Sequence, residues 1–169
     1  MEYPGGVELS DAADVTLVID RTALVENILN QVIESFCEPS ERASLFFWEV
    51  LLDSSIMQMG SKSKIAMAIA QQLHFKLDQD AIHSVMSLRN AFAHHDISSH
   101  PVLVVRAPPE VSKFHFELQI ISNSGKVSRK RRDVALSEFN ASFQLAKESL
   151  VALLDAIKAA RAVDTPNKN

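Results

Sequence analysis

Between Asp11 and Phe36, the apolar residues Leu17, Leu24, Val25, Ile28, Leu29, Val32, Ile33 and Phe36 recur at steps of three and four. That period puts them on one stripe of a helix, with polar residues around the rest. A stripe of this length is stable only when other elements cover it, so it commits the chain to helix-on-helix packing.

The same period returns downstream. "EPS" ends the first helix, because Pro39 cannot continue it, and Ser40 can cap a second helix with Glu41 in its first turn. That second helix reads "ASLFFWEVLL", apolar on several sides, which predicts a covered, central position with Phe46, Phe47 and Trp48 in the core. Gly60 in "MGSKSK" predicts the next break, and Ser61 or Ser63 then starts a helix carrying Ile65, Ile69 and Leu73. Asp78 caps a fourth helix with Ile82, Val85, Leu88 and Phe92 inward, ending near His95. Ser137 is read as the cap of a long last helix whose buried face is Phe139, Phe143, Ala146, Leu150, Leu153, Leu154 and Ile157.

Between the last two helices the pattern becomes β-branched and alternating, in "VLVVRA", "FHFELQII" and "KVSRKRRDV", with "NSGK" as a hairpin turn. The predicted architecture is mainly α: an up-and-down bundle of about five helices with a small antiparallel sheet inserted before the last one. Residues 1–10, with Pro4, Gly5 and Gly6, read as a loose arm, and 163–169 as a tail. Residues 11–162 read as one domain with the β insert at about 102–135.

Composition narrows the class. An apolar fraction of 47% and a charged fraction of 22% are those of a globular protein. A net charge of −4 gives no general attraction to nucleic acid, so RNA binding would need a local patch. The single Cys37 excludes an internal disulfide and a cysteine zinc site, and its place beside Phe36 suits a small packing residue. The N-terminal residues lack a signal-peptide order and no apolar run reaches the roughly 18 residues of a membrane span, so a cytoplasmic setting is expected.

The chemistry concentrates in "SLRNAFAHHD", residues 87–96. Asn90 and His94 are four residues apart and share a helix face distinct from that of Leu88 and Phe92, with Arg89 about 100° away from Asn90. A guanidinium can hold a phosphate bidentately while an imidazole exchanges a proton near neutral pH. The set therefore suits metal-free phosphodiester cleavage, with His94 as acid or base and Arg89 stabilising the charged phosphorane. The same residues can equally serve the helix end, where Arg and His complement the dipole and bind terminal carbonyls. His94, His95, Asp96 and His100 do not form a metal site on this reading, because adjacent helical histidines point about 100° apart. His74, His83 and His115 are isolated and carry no assigned role.

A second cluster, Lys126, Arg129, Lys130, Arg131 and Arg132, offers either an RNA-backbone patch or an edge strand guarded by charge. In strand geometry Lys126, Ser128, Lys130 and Arg132 share one side, and Arg129 and Arg131 take the other.

"RNAFAH", residues 89–94, resembles the R-x4-H signature of the HEPN superfamily in its RNxFAH form. These are helical-bundle proteins that include ribonucleases of prokaryotic defence and toxin–antitoxin systems. The preceding "GSKSKIAMAIAQQL" is similar to the Lys-Ile helix that often comes before that motif. The resemblance covers roughly residues 15–160, of which six form the sharp motif. It implies a metal-independent RNA endonuclease without a cofactor, with Arg89 and His94 catalytic and Asn90 supporting. It also implies a homodimer through the helix carrying Arg89 and His94, an RNA substrate and a cognate antitoxin as partner; no membrane association is expected, since no apolar run is long enough. Proteins with a similar motif that resemble mannitol operon repressors imply the alternative, a non-catalytic regulatory module whose motif serves dimerisation.

Overall fold

A computed structural model of the chain describes residues 8–94, 100–104, 113–122 and 124–164. The order is α1 (Glu8–Cys37), α2 (Glu41–Phe46) continued by a π-helical turn (Phe47–Leu51), α3 (Met59–Gln72), α4 (Gln79–Ala93), β1 (His100–Val104), β2 (Lys113–Ile121), β3 (Val127–Arg131) and α5 (Arg132–Asp164). The chain is mainly helical, with five α-helices among the described residues and a three-stranded antiparallel sheet before the last one. No helix among the described residues is long and apolar enough to cross a membrane.

Two compact units divide the chain, Met1–Thr22 with His83–Ser142 and Ala23–Ile82 with Phe143–Asn169. All three boundaries fall inside helices, in α1, α4 and α5, so no Pro- or Gly-rich linker announces them.

In the first unit the core is Val18, Val85, Leu88, Ala91, Phe92, Leu118, Ile120, Ala135 and Phe139. The sheet order is β1-β2-β3, which leaves β3 at an edge. Leu118 and Ile120 of β2 turn inward opposite Lys130 and Ser128, while Glu117 and Gln119 stand opposite Arg131 and Arg129 on the other face. The hairpin closes where the Ser122 N–H donates to the Lys126 carbonyl (3.0 Å) and the Gly125 N–H to the Ser122 carbonyl (2.9 Å). Gly125 lies at φ +78, a left-handed conformation that glycine adopts without a Cβ clash.

In the second unit the predicted stripes are buried. Val25, Ile28, Leu29, Val32 and Ile33 of α1 and Phe143, Ala146, Leu150, Leu153, Leu154 and Ile157 of α5 are core residues. Phe36 is half-buried and Leu24 is exposed, while Leu17, on the part of α1 that belongs to the first unit, is half-buried. Asp78 caps α4, its carboxylate accepting from the Ala81 N–H (3.0 Å), and its own N–H donates to Ser149 Oγ of α5 (2.9 Å).

Several expectations need correction. The helix predicted as central is not: α2 and its π turn bury no residue, Phe46 is exposed, and Phe47 and Trp48 are only half-buried. Its apolar residues outnumber the positions its inward face offers, and the excess faces water. Ser40 stands at the N-cap but makes no side-chain cap bond; its carbonyl accepts from Ala43 and Ser44. Gly60 does not break the chain but sits in the first turn of α3, which starts at Met59 after an extended Gln58. Ser137 lies within α5 and is exposed, because β3 runs directly into that helix at Arg132 and Asp133 takes the favourable acidic place in the first turn. The sheet therefore ends at Arg131 rather than near residue 135. Cys37 is exposed at the end of α1 rather than packed. The helices also extend into the predicted arm and tail, to Glu8 and Asp164; residues 1–7 and 165–169 lie outside the described residues.

Gly125 yields a direct test of the hairpin. A Cβ added there meets nothing within 4 Å, so the cost of Gly125→Ala is purely conformational. Urea unfolding should show a loss of about 1–2 kcal/mol for Gly125→Ala and a smaller one for Gly125→Asn, which tolerates the left-handed region better.

Candidate functional site

The last two turns of α4 sort their side chains by depth. Val85, Leu88, Ala91 and Phe92 are buried, Arg89 is half-buried, and Asn90 and His94 are exposed. The apolar period of the helix forces this division: with Leu88 and Phe92 committed to the core, positions 90 and 94 must face outward. Arg89 Nη1 donates to Asn90 Oδ1 at 3.3 Å, which ties one nitrogen of the guanidinium and leaves the rest of its donor fork for another acceptor. The His94 N–H donates to the Asn90 carbonyl at 3.2 Å, so the backbone holds His94 in register one residue past the helix. The structure thus brings together Arg89, Asn90 and His94 on one helix end. His95 and Asp96 lie outside the described residues, as do the side chains of His100 and His115.

The basic strand is divided differently from the predicted alternation. Lys130 and Ser128 do share a side, but Lys126 is in the turn and Arg132 has left the strand. Lys130 is paired with Glu138 of α5 (2.5 Å). Arg131 grips Asp133 through Nε and Nη2, and that guanidinium holds the Asp133 carboxyl below the usual carboxylate range. Arg132 is buried; its Nε reaches Asp14 of α1 at 3.2 Å and its guanidinium carbon lies 5.7 Å from the centre of the Phe92 ring. Arg132 is therefore a packing residue, fixing the start of α5 against α1 and α4 inside the first unit. Lys126 and Arg129 remain as exposed cations without an ion pair among the described residues.

His74 has a local role that its isolation in the sequence concealed. It sits at φ +52 just past α3, its N–H donating to Gln71 while the Phe75 N–H donates to the Ala70 carbonyl. That is the left-handed helix stop usually given to glycine. Among the described residues no group of three or more His, Cys, Asp or Glu side chains is placed to hold a metal ion. A hollow of about 300 Å³ along α5, lined by Gln144, Lys147, Glu148, Val151, Ala152 and Asp155, does not include Arg89, Asn90 or His94.

Sequence reasoning missed the most unusual polar group. Lys62 of α3 is 0% exposed, and its ammonium meets Glu26 Oε1 of α1 at 2.6 Å. The same carboxylate oxygen accepts from Ser54 Oγ at 2.7 Å, so one acid on α1 holds both α3 and the loop before it. Beside Lys62 in the chain, Ser63 is buried too. A signal existed: Lys62 precedes Ala66 and Ile69 at helical spacing, and Glu26 precedes Leu29 and Ile33 likewise. Each charge thus occupies an apolar-face position on its own helix, and the two are opposite in sign.

Removing one partner of such a pair leaves the other buried and uncompensated. Glu26→Gln should cost about 3 kcal/mol in urea unfolding, the lower end of the range because the Glu26 end is partly exposed, and Glu26→Leu with Lys62→Met should recover most of it.

Comparison with protein-family models, with curated proteins and with solved structures finds no match for this chain, so the reading of the site rests on its own residues.

Proposed function

We propose that the chain is a metal-independent RNA endonuclease of HEPN type, the toxin half of a two-gene system restrained by a cognate antitoxin. The observation that carries this reading is accessibility: Asn90 and His94 are exposed and Arg89 is half-buried, on one edge of α4. Placed together on one accessible edge, the imidazole and the guanidinium can both reach a phosphate, as this chemistry requires.

The chemistry follows from what each group can hold. Arg89, oriented by its bond to Asn90 Oδ1, grips two non-bridging oxygens of a phosphodiester. His94 in its neutral form takes the proton from the ribose 2′-hydroxyl, whose oxygen attacks phosphorus. Charge builds on the phosphorane oxygens beside the guanidinium. The 5′-oxygen then leaves with a proton supplied by an imidazolium, giving a 2′,3′-cyclic phosphate and a 5′-hydroxyl end. One histidine cannot stand on both sides of the phosphorus at once, so a second copy contributes the other, in a homodimer built on α4. Lys126 and Arg129 supply backbone contacts to the strand.

A second reading, a non-catalytic regulator resembling a mannitol operon repressor, is favoured by the Arg89–Asn90 bond itself. A guanidinium already committed to a neighbouring amide also suits a structural contact between subunits.

RNA incubated in EDTA with wild type, His94→Ala and Arg89→Ala separates the two. The ribonuclease reading expects cyclic-phosphate ends from wild type and a rate loss of about 100-fold or more in each variant. Equal cleavage by all three, or none by wild type, rejects it. No cleavage together with a lower molecular mass for Arg89→Ala supports the regulator.

A further inference from the structure

The outward face of α2 is apolar where a helix surface in water is normally polar. With α-helical spacing through Phe46 and the wider π turn after it, Arg42, Leu45, Phe46, Glu49 and Val50 fall on one side, and all five are exposed. Leu45 is 66% and Phe46 57% exposed, more than most large apolar residues of the chain, and Val50 and Leu51 are each 38% exposed. The π turn, marked by the Leu52 N–H donating to the Phe47 carbonyl at 2.9 Å, brings Glu49 and Val50 above Leu45 and Phe46 rather than letting them drift inward. Ser44, Phe47 and Trp48 make the half-buried opposite face.

We propose that this face docks a second copy of the chain, antiparallel, about a two-fold axis passing between Leu45 and Phe46. The charges select that occupant. Arg42 and Glu49 bracket the apolar pair symmetrically, seven residues or about 10 Å apart along the helix. An antiparallel copy puts each Arg42 against the other chain's Glu49 and each Leu45 against the other chain's Phe46, twice over. A parallel copy would set like charges together. Neither Arg42 nor Glu49 makes an ion pair among the described residues, so both are available for that contact.

The area suits the purpose. Leu45, Phe46 and Val50 present on the order of 300 Å² between them, at the size where an apolar patch marks an interaction surface, and the flanking Arg42 and Glu49 bring it toward the roughly 800 Å² a standard interface hides per partner. The face belongs to the unit that does not contain Arg89 and His94, so the inference does not depend on the ribonuclease reading.

Sedimentation equilibrium on the full chain tests it by charge exchange. Wild type should have the mass of at least two chains. Arg42→Glu and Glu49→Arg, each of which faces like charges across the axis, should halve that mass. The double exchange R42E/E49R should restore it, as should an equimolar mixture of the two single variants. A monomeric wild type, single variants that keep the wild-type mass, or a double exchange that stays at half mass would overturn the proposal. Circular dichroism at wild-type strength in the exposed single variants excludes unfolding as the cause of a lower mass.

Discussion

An ammonium removed from water must find a carboxylate, and Lys62 is removed from water completely. Its pairing with Glu26 fixes where along α1 the helix α3 begins, and the bond from Ser54 to the same carboxylate draws in the loop between them. With Leu52 buried just before that loop, the end of the π turn is pinned as well. Because α2 and its π turn bury no residue fully, those anchors add to the half-buried Ser44, Phe47 and Trp48 in holding them. The first unit uses a cation in the same way. Arg132 joins Asp14 and the Phe92 ring, so the end of the sheet, the start of α5 and the last turns of α4 meet on one guanidinium.

That use of Arg132 bears on the site. Phe92 lies in the middle of the RNAFAH segment, and its ring is held from below by Arg132 while its neighbours on the helix surface face solvent. The motif is therefore two-sided: apolar residues hold the helix in the core, and Arg89, Asn90 and His94 are presented from it. Rigid support of this kind is what a side chain needs to meet a phosphate in a fixed orientation. The basic strand contributes less than its composition suggests, because Lys130, Arg131 and Arg132 are each engaged by a carboxylate of the same unit.

Much of the fold was legible because apolar period translates directly into burial. The stripes of α1, α4 and α5, the cap at Asp78 and the glycine-containing hairpin all follow from local rules that the tertiary structure had no reason to override. The misreadings share a different cause. "ASLFFWEVLL" is as apolar as a core helix, but period cannot distinguish a segment covered by its own chain from one with an uncovered face. Ser137 and Gly60 carry the usual local signals for a cap and a break, yet a strand feeding straight into α5 and an extended Gln58 before α3 set those boundaries first.

For the site, the sequence alone determined that Arg89, Asn90 and His94 share the edge of one helix, since their spacing relative to Leu88 and Phe92 permits no other arrangement. Only the tertiary structure decided which charges stay accessible and which are taken up in packing. Arg132 looks no different in the chain from Arg129, and Lys62 shows only its apolar-face position, because burial depends on whether another element arrives with a carboxylate. For Lys62 and Arg132 the partners, Glu26 and Asp14, lie 36 and 118 residues away. A local period can place a charge on an apolar face, but it cannot name a partner so distant in the chain.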